Sequence, residues 1–265
     1  MDGALQIRIA KRDGEPRVVE SYARAPFHYL PPSREEGGVP RLTIVNSSGG
    51  ILGGDALDMS IALDSHVSLS LRTQAATKIH RSAGGPARSV GRFTLGDGAL
   101  LDYFPDEIIP FAGSDYTQIT QVEIAANATM LLGEIVTAGR IARGERFGFA
   151  RLALDLQCTS DGALLLRDRS DLQPTLRRLD DRSILGDATI WGSYYLLTAR
   201  SVEPALIEEL DEVLRGVGEG TGGATAGPVG VVGRVVSNSL DAVRGAFEQI
   251  RLLVLSRWPS LGGER

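Results

Sequence analysis

A chain of 265 residues, 43% hydrophobic and 23% charged, has apolar surface enough for a sizeable core, and its net charge of −5 argues against a general nucleic-acid binder. Cys158 is the single cysteine, which excludes an intramolecular disulfide and a thiolate zinc site and leaves a small buried strand residue as its expected role. Met1–Gln6 carries no leader signature, and no apolar run approaches the ~20 residues that span a bilayer, so a cytoplasmic protein with no membrane partner is expected.

In chain order, Leu5, Ile7 and Ile9 alternate and Lys11-Arg12-Asp13-Gly14 turns the chain, which predicts an opening β-hairpin. Pro31-Pro32 through Gly37-Gly38 has the composition of an exposed loop. Next, Gly49-Gly50 and Gly53-Gly54 flank Ile51-Leu52 and are closed by Asp55. Glycine is favoured where φ is positive or another backbone approaches closely, so two tight turns around a short buried strand are expected.

Three later segments share one pattern, starting at Ile61, Phe93 and Val122. Each is an alternating strand, a three-residue turn ending in His66, Gly98 or Asn127, and a second alternating strand. The spacing of roughly 30 residues is that of stacked units, each unable to bury its apolar face alone. A partial fourth copy is expected at Asp161–Leu166. The fold class is mainly β, an irregular β-helix or solenoid of stacked strands; independent hairpins in a sandwich are the alternative.

Two helices follow near the C-terminus. Pro204 opens one with Leu206, Leu210 and Val213 on one face and Gly216 after it; Asn238 caps a second whose stripe is Leu240, Val243, Phe247, Ile250 and Val254. One domain over 1–265 is expected, β-rich over 1–200 and helical and glycine-rich over 201–265.

Gly218, Gly220 and Gly223 spell G-x-G-x-x-G, which would suit an NAD(P)-binding oxidoreductase. The motif follows a helix rather than a strand and runs into Ala224–Pro228, so a flexible linker is the expectation. No P-loop is present. His28, His66 and His80 have no metal-pair spacing and read as structural residues in a strand, a turn and a strand end. Asp106 and Glu107, if in a strand, point to opposite faces and cannot share a reaction centre.

Taken together, the Gly49–Asp55 stretch, Thr73-Gln74-Ala75-Ala76-Thr77-Lys78-Ile79-His80-Arg81, Asp106–Phe111, Leu132-Gly133-Glu134 and Gly139–Glu145 resemble, in order and spacing, the UreD (or UreH) family of urease accessory proteins. The resemblance implies an irregular β-helix-like fold and a non-catalytic scaffold that binds apo-urease and the UreF and UreG accessory proteins and helps deliver nickel. The candidate partner or channel residues it implies are Gly49, Gly50, Gly53, Gly54, Asp55, Gln74, Thr77, Lys78, Glu107, Pro110, Phe111, Glu134, Arg140, Arg143 and Glu145. No tightly bound cofactor is expected. Asp55, Glu107 and Glu134 are the candidates for a transient nickel path; structural salt bridges to Lys78, Arg81, Arg140 or Arg143 are the competing role for these acids. A β-solenoid interaction protein with no link to nickel is the other alternative.

Overall fold

The segments that align by pattern in the sequence lie side by side in space. A computed structural model describes residues 1–33 and 39–261. In it Ile61 pairs with Phe93, and Phe93 with Val122, in a parallel ladder.

The strands are β1 (Asp2–Arg12), β2 (Glu15–Arg24), β3 (Phe27–Ser33), β4 (Arg41–Asn46), β5 (Ala56–Leu63) and β6 (Ser68–Thr73). They continue as β7 (Thr77–Ile79), β8 (Ala87–Leu95), β9 (Leu100–Tyr103), β10 (Ile108–Pro110), β11 (Asp115–Ile124) and β12 (Thr129–Thr137). The last are β13 (Arg151–Ser160), β14 (Ala163–Leu172), β15 (Ile190–Thr198), β16 (Gly220–Ala226) and β17 (Val231–Ser237). Helices α1 (Pro204–Arg215) and α2 (Leu240–Leu261) complete the fold.

One sheet runs β14-β13-β11-β8-β5-β1-β2; the other runs β16-β17-β15-β12-β9-β6-β4-β3. The chain alternates between them, β5 to β6, β8 to β9 and β11 to β12, as a coil rather than as separate hairpins. Short strands β7 and β10 pair in parallel and form a third wall, extended by an Ile51–Ile79 bridge on one side and by β12 on the other. At the far corners the turns stack. His66 and Gly98 take left-handed backbone. Asn127 does not, and instead donates Nδ2 to Asp97 Oδ1 at 2.9 Å.

The expected fourth copy departs from the coil. Asp161 and Gly162, both at positive φ, return the chain within the same sheet, so β13 and β14 form an antiparallel hairpin. Pro31-Pro32, read as loop, belong to β3, and residues 34–38 of that expected loop lie outside the described residues. The glycine-rich 220–226 segment is a strand rather than a linker. It pairs with β17, and Asp211 Oδ1 on α1 accepts a bond from Ala224 N–H on its free edge at 2.8 Å. Edge strands need such cover; this one is no βα phosphate turn.

Between the sheets, Leu5, Ile7, Ile61, Leu69, Phe93, Leu101, Val122, Met130 and Leu132 form the larger core, and Cys158 joins it as expected. Each such side chain, fully buried, contributes about 1.5–3 kcal/mol. A second core lies on the outer face of the β12–β15–β17 sheet, where Leu206, Leu210, Leu214, Val243, Phe247, Ile250 and Val254 cover Leu131, Ile135 and Tyr194. Leu214 joins the expected Leu206 and Leu210 on the buried face, and Val213, half-buried, packs against the same cluster. Cover on both faces explains why every residue of β12 is buried. Gly133 is required there, since a Cβ would come within 2.5 Å of the Phe104 ring. Ser239, not Asn238, caps α2: its Oγ accepts Ala242 N–H at 3.2 Å, while Asn238 Oδ1 accepts Thr189 N–H at 3.0 Å. α2 is also tied down by charge: fully buried Asp102 accepts Arg251 Nε at 2.6 Å and Arg72 Nη2 at 3.0 Å.

Candidate functional site

The third wall brings four loops together. His80 N–H bonds Ile51 O at 2.8 Å, Phe111 N–H bonds Ile79 O at 2.9 Å, and Gly113 N–H bonds Gly148 O at 2.8 Å. Gly50 sits at φ +143° against this seam, where a Cβ would lie 2.6 Å from both His80 Nε2 and Lys78 O. The expected close backbone approach is therefore present. Gly54 also takes positive φ, and Asp55 Oδ2 accepts Leu52 N–H at 2.9 Å to close the turn.

Beneath the loops, between the sheets, lies a cavity of about 200 Å³. Gly49, Gly50, Gln74, Thr77, Lys78, Asp106, Ser89, Tyr103, Tyr116, Gln118 and Glu134 contribute to its lining. A second cavity of about 300 Å³ is lined in part by Asp168, Ser193, Trp191, Tyr195, Arg234 and again Glu134. Glu134 is the one carboxylate common to both linings.

Glu134 projects from β12 across the sandwich to β11, where Gln118 Nε2 donates to its Oε1 at 2.6 Å. Tyr116 OH donates to Gln118 Oε1 at 3.3 Å, and Ser89 Oγ bonds the same tyrosine hydroxyl. Burial pushes the Glu134 carboxyl up to about 7, against the opposing pull of Gln118 and the Arg234 charge. No cation pairs with it directly among the described residues. In the second cavity Asp168 accepts Tyr195 OH at 2.7 Å and pairs with Arg234, which lies 5.2 Å from the Tyr195 ring centre.

The acids singled out in the sequence separate on this geometry. Asp55 lines neither cavity; it is buried and accepts the Met1 ammonium at 2.6 Å. Burial opposes its ionisation, but the ammonium and the Leu52 N–H outweigh it and hold its pKa below the usual carboxylate value. Glu107 is buried and paired with Arg244 of α2, which also comes within 3.7 Å of Asp106. None of the three acids takes a partner from the expected set of Lys78, Arg81, Arg140 and Arg143. Arg140 instead pairs with Glu145 and lies 4.3 Å from the Phe111 ring centre. Pro110, Phe111, Arg140, Arg143 and Glu145 belong to the wall and its loops, outside the cavity linings. Asp106 and Glu107 sit in coil before β10, so the opposite-face argument does not apply and Arg244 meets both.

Gln118, Asp106, Asp168, Ser193, Arg234 and Arg244 were not among the sequence candidates. A signal for one of them was present: Tyr116, Gln118 and Thr120 are polar at the alternating inward positions of a strand whose next inward residues are Val122 and Ile124. His28 lies in β3, His66 in a turn and His80 just past β7, as the sequence indicated. Among the described residues no three His, Cys, Asp or Glu side chains cluster as metal ligands, and no helix is long and apolar enough to cross a membrane.

Comparison with known proteins gives this geometry a context. The family model described as UreD urease accessory protein matches residues 1–263. A protein named urease accessory protein UreD 2 from Streptomyces griseus is 32% identical over 263 residues, covering 95% of this chain and 88% of that protein. The urease accessory protein UreD of Acetivibrio thermocellus is 29% identical, covering 94% of this chain and 96% of that protein. The one from Haloarcula marismortui is 30% identical, covering 93% and 83%. On the match across nearly its whole length, the chain belongs to the UreD family of urease accessory proteins.

Proposed function

We propose that this chain is a non-catalytic, cytoplasmic urease maturation factor that holds apo-urease together with partners of the UreF and UreG families and offers nickel a path between its two sheets. The observation that carries the path is Glu134, a buried carboxylate lining both cavities and bonded across the sandwich by Gln118. Asp106 in the lining of the first cavity and Asp168 in that of the second would be the other oxygen donors along the route. This set replaces Asp55 and Glu107, which are committed to the Met1 ammonium and Arg244. Carboxylate and amide oxygens are harder donors than thiolate or imidazole and hold nickel more weakly, which suits transit over storage. Nickel is cargo in this reading.

The test is co-purification of the tagged chain with apo-urease and each accessory protein, followed by nickel-dependent urea hydrolysis with and without the chain. Capture of apo-urease, with activation that requires the chain, is the expected result. Equal activation in its absence would refute the proposal.

A further inference from the structure

From the outer side of the third wall we infer a docking surface for a carboxylate-rich face of another protein; this rests on the assembly-factor reading above and names where, and by what chemistry, one partner is held. Ile79 and Ile108 enter the core, while Lys78 pairs with Ile109 in register on the alternate positions of β7 and β10. His80 meets Phe111 edge-on at 4.8 Å, and the guanidinium of Arg140 lies over the same ring. The flanking loops add two exposed aliphatics, Leu52 at 52% and Ile141 at 39% exposure. Aromatic, arginine and aliphatic groups together are the composition of a protein interface centre.

The exposed charges on the wall and its loops are all basic. Glu145 neutralises Arg140, but the side chains of Lys78, Arg81 and Arg143 are exposed and make no hydrogen bond or ion pair with the described residues. Three uncompensated cations on one face of a chain whose net charge is −5 form a local field opposite to that of the whole molecule. Such a face attracts and orients a surface rich in Asp and Glu and repels a basic one. Gly49 adds exposed backbone with open space around it, so an incoming chain meets little side-chain bulk there.

The chain supplies its own probe, because Lys11 and Lys78 are its only lysines. Carbodiimide cross-linking of the purified full chain to apo-urease, and separately to each accessory protein, joins a lysine amine to a carboxylate, and peptide mass spectrometry identifies which one. The expected result is a Lys78 link to an Asp or Glu of one partner, with Lys11 unlinked. Capture of that partner should weaken with added salt and fall at least about tenfold in K78E/R81E/R143E. The charge-preserving K78R/R81K/R143K should bind like the native chain, which separates charge from folding; R81E/R143E serves if the triple reversal melts early. A native complex that survives charge reversal unchanged, or that links through Lys11 alone, overturns the docking surface and leaves the assembly reading standing. Failure of the native chain to capture any of these partners overturns both.

Discussion

Replacing Glu134 by Gln keeps the shape and the acceptor oxygen facing Gln118 but removes the ionisable group. The carboxyl stands at about 7 against an ordinary 4.5. At about 1.4 kcal/mol per unit, that difference disfavours the ionised folded state by about 3 kcal/mol. The sign follows from which state binds the proton. Between about 4.5 and 7 the unfolded chain has released it and the folded chain has not, so this group's contribution to stability falls as pH rises through that window and is level above and below. The Glu134→Gln chain should match the native one near pH 4 and exceed it by about 3 kcal/mol at pH 8, or roughly 6–12 °C in Tm for a chain of this size. Urea unfolding at a series of pH values, followed by fluorescence of Trp191 in the second cavity, measures it. Parallel curves for the two proteins across the whole range would refute the argument, since they would mean Glu134 ionises in the folded chain as it does in water.

Asp102→Ala leaves Arg72 and Arg251 facing a vacated buried site and should cost roughly 3–5 kcal/mol in chemical denaturation, loosening α2. Gly50→Ala, at φ +143° with the Lys78 carbonyl in the way, should cost at least about 1–2 kcal/mol and alter hydrogen exchange around Ile51 and His80 while leaving α1 and α2 protected. Asp168→Asn keeps an acceptor for Tyr195 but removes a charge from the second cavity; it should preserve capture of apo-urease and slow its activation several-fold. Asp55→Ala, in contrast, should lower Tm with activation per folded molecule unchanged, because Asp55 lies outside both cavities.

The coil of strands was legible because its repeat and its alternation have a local cause. A strand with one face in a core alternates in its own sequence, and units that stack repeat at the length of one turn, so Ile61, Phe93 and Val122 reveal their register before any contact is known. The fourth copy failed on two residues. Asp161-Gly162 looks like the earlier turns, but a tight turn serves a hairpin as well as a corner, and only pairing decides. Asn238 was a plausible cap that another loop had claimed through Thr189. The glycine-rich 220–226 segment has a linker's composition, and it becomes a strand because β17 and Asp211 of α1 meet it from either side.

For the site, local motifs located the loops and Glu134 but not the ion pairs. Arg244 reaches Glu107 across 137 residues of sequence, and Arg234 reaches Asp168 across 66. No local spacing encodes such partners. Gln118 was recoverable in principle, as a polar residue at an inward strand position.

The central claim, that nickel passes between the sheets, can be tested by a reversible block. Cys158 is the only cysteine and is buried, and burial pushes its thiol up to about 12, so it resists labelling. Ser193→Cys then places one reactive thiol in the second cavity, opposite Glu134 in the β12–β15 ladder. The purified variant is labelled with a bulky methanethiosulfonate, freed of reagent, assembled with apo-urease and its accessory proteins, and followed for nickel-dependent urea hydrolysis. The account predicts that the labelled complex assembles normally and activates urease poorly, and that reductant added to it restores activation. Full activation by the labelled complex would contradict passage through the sandwich.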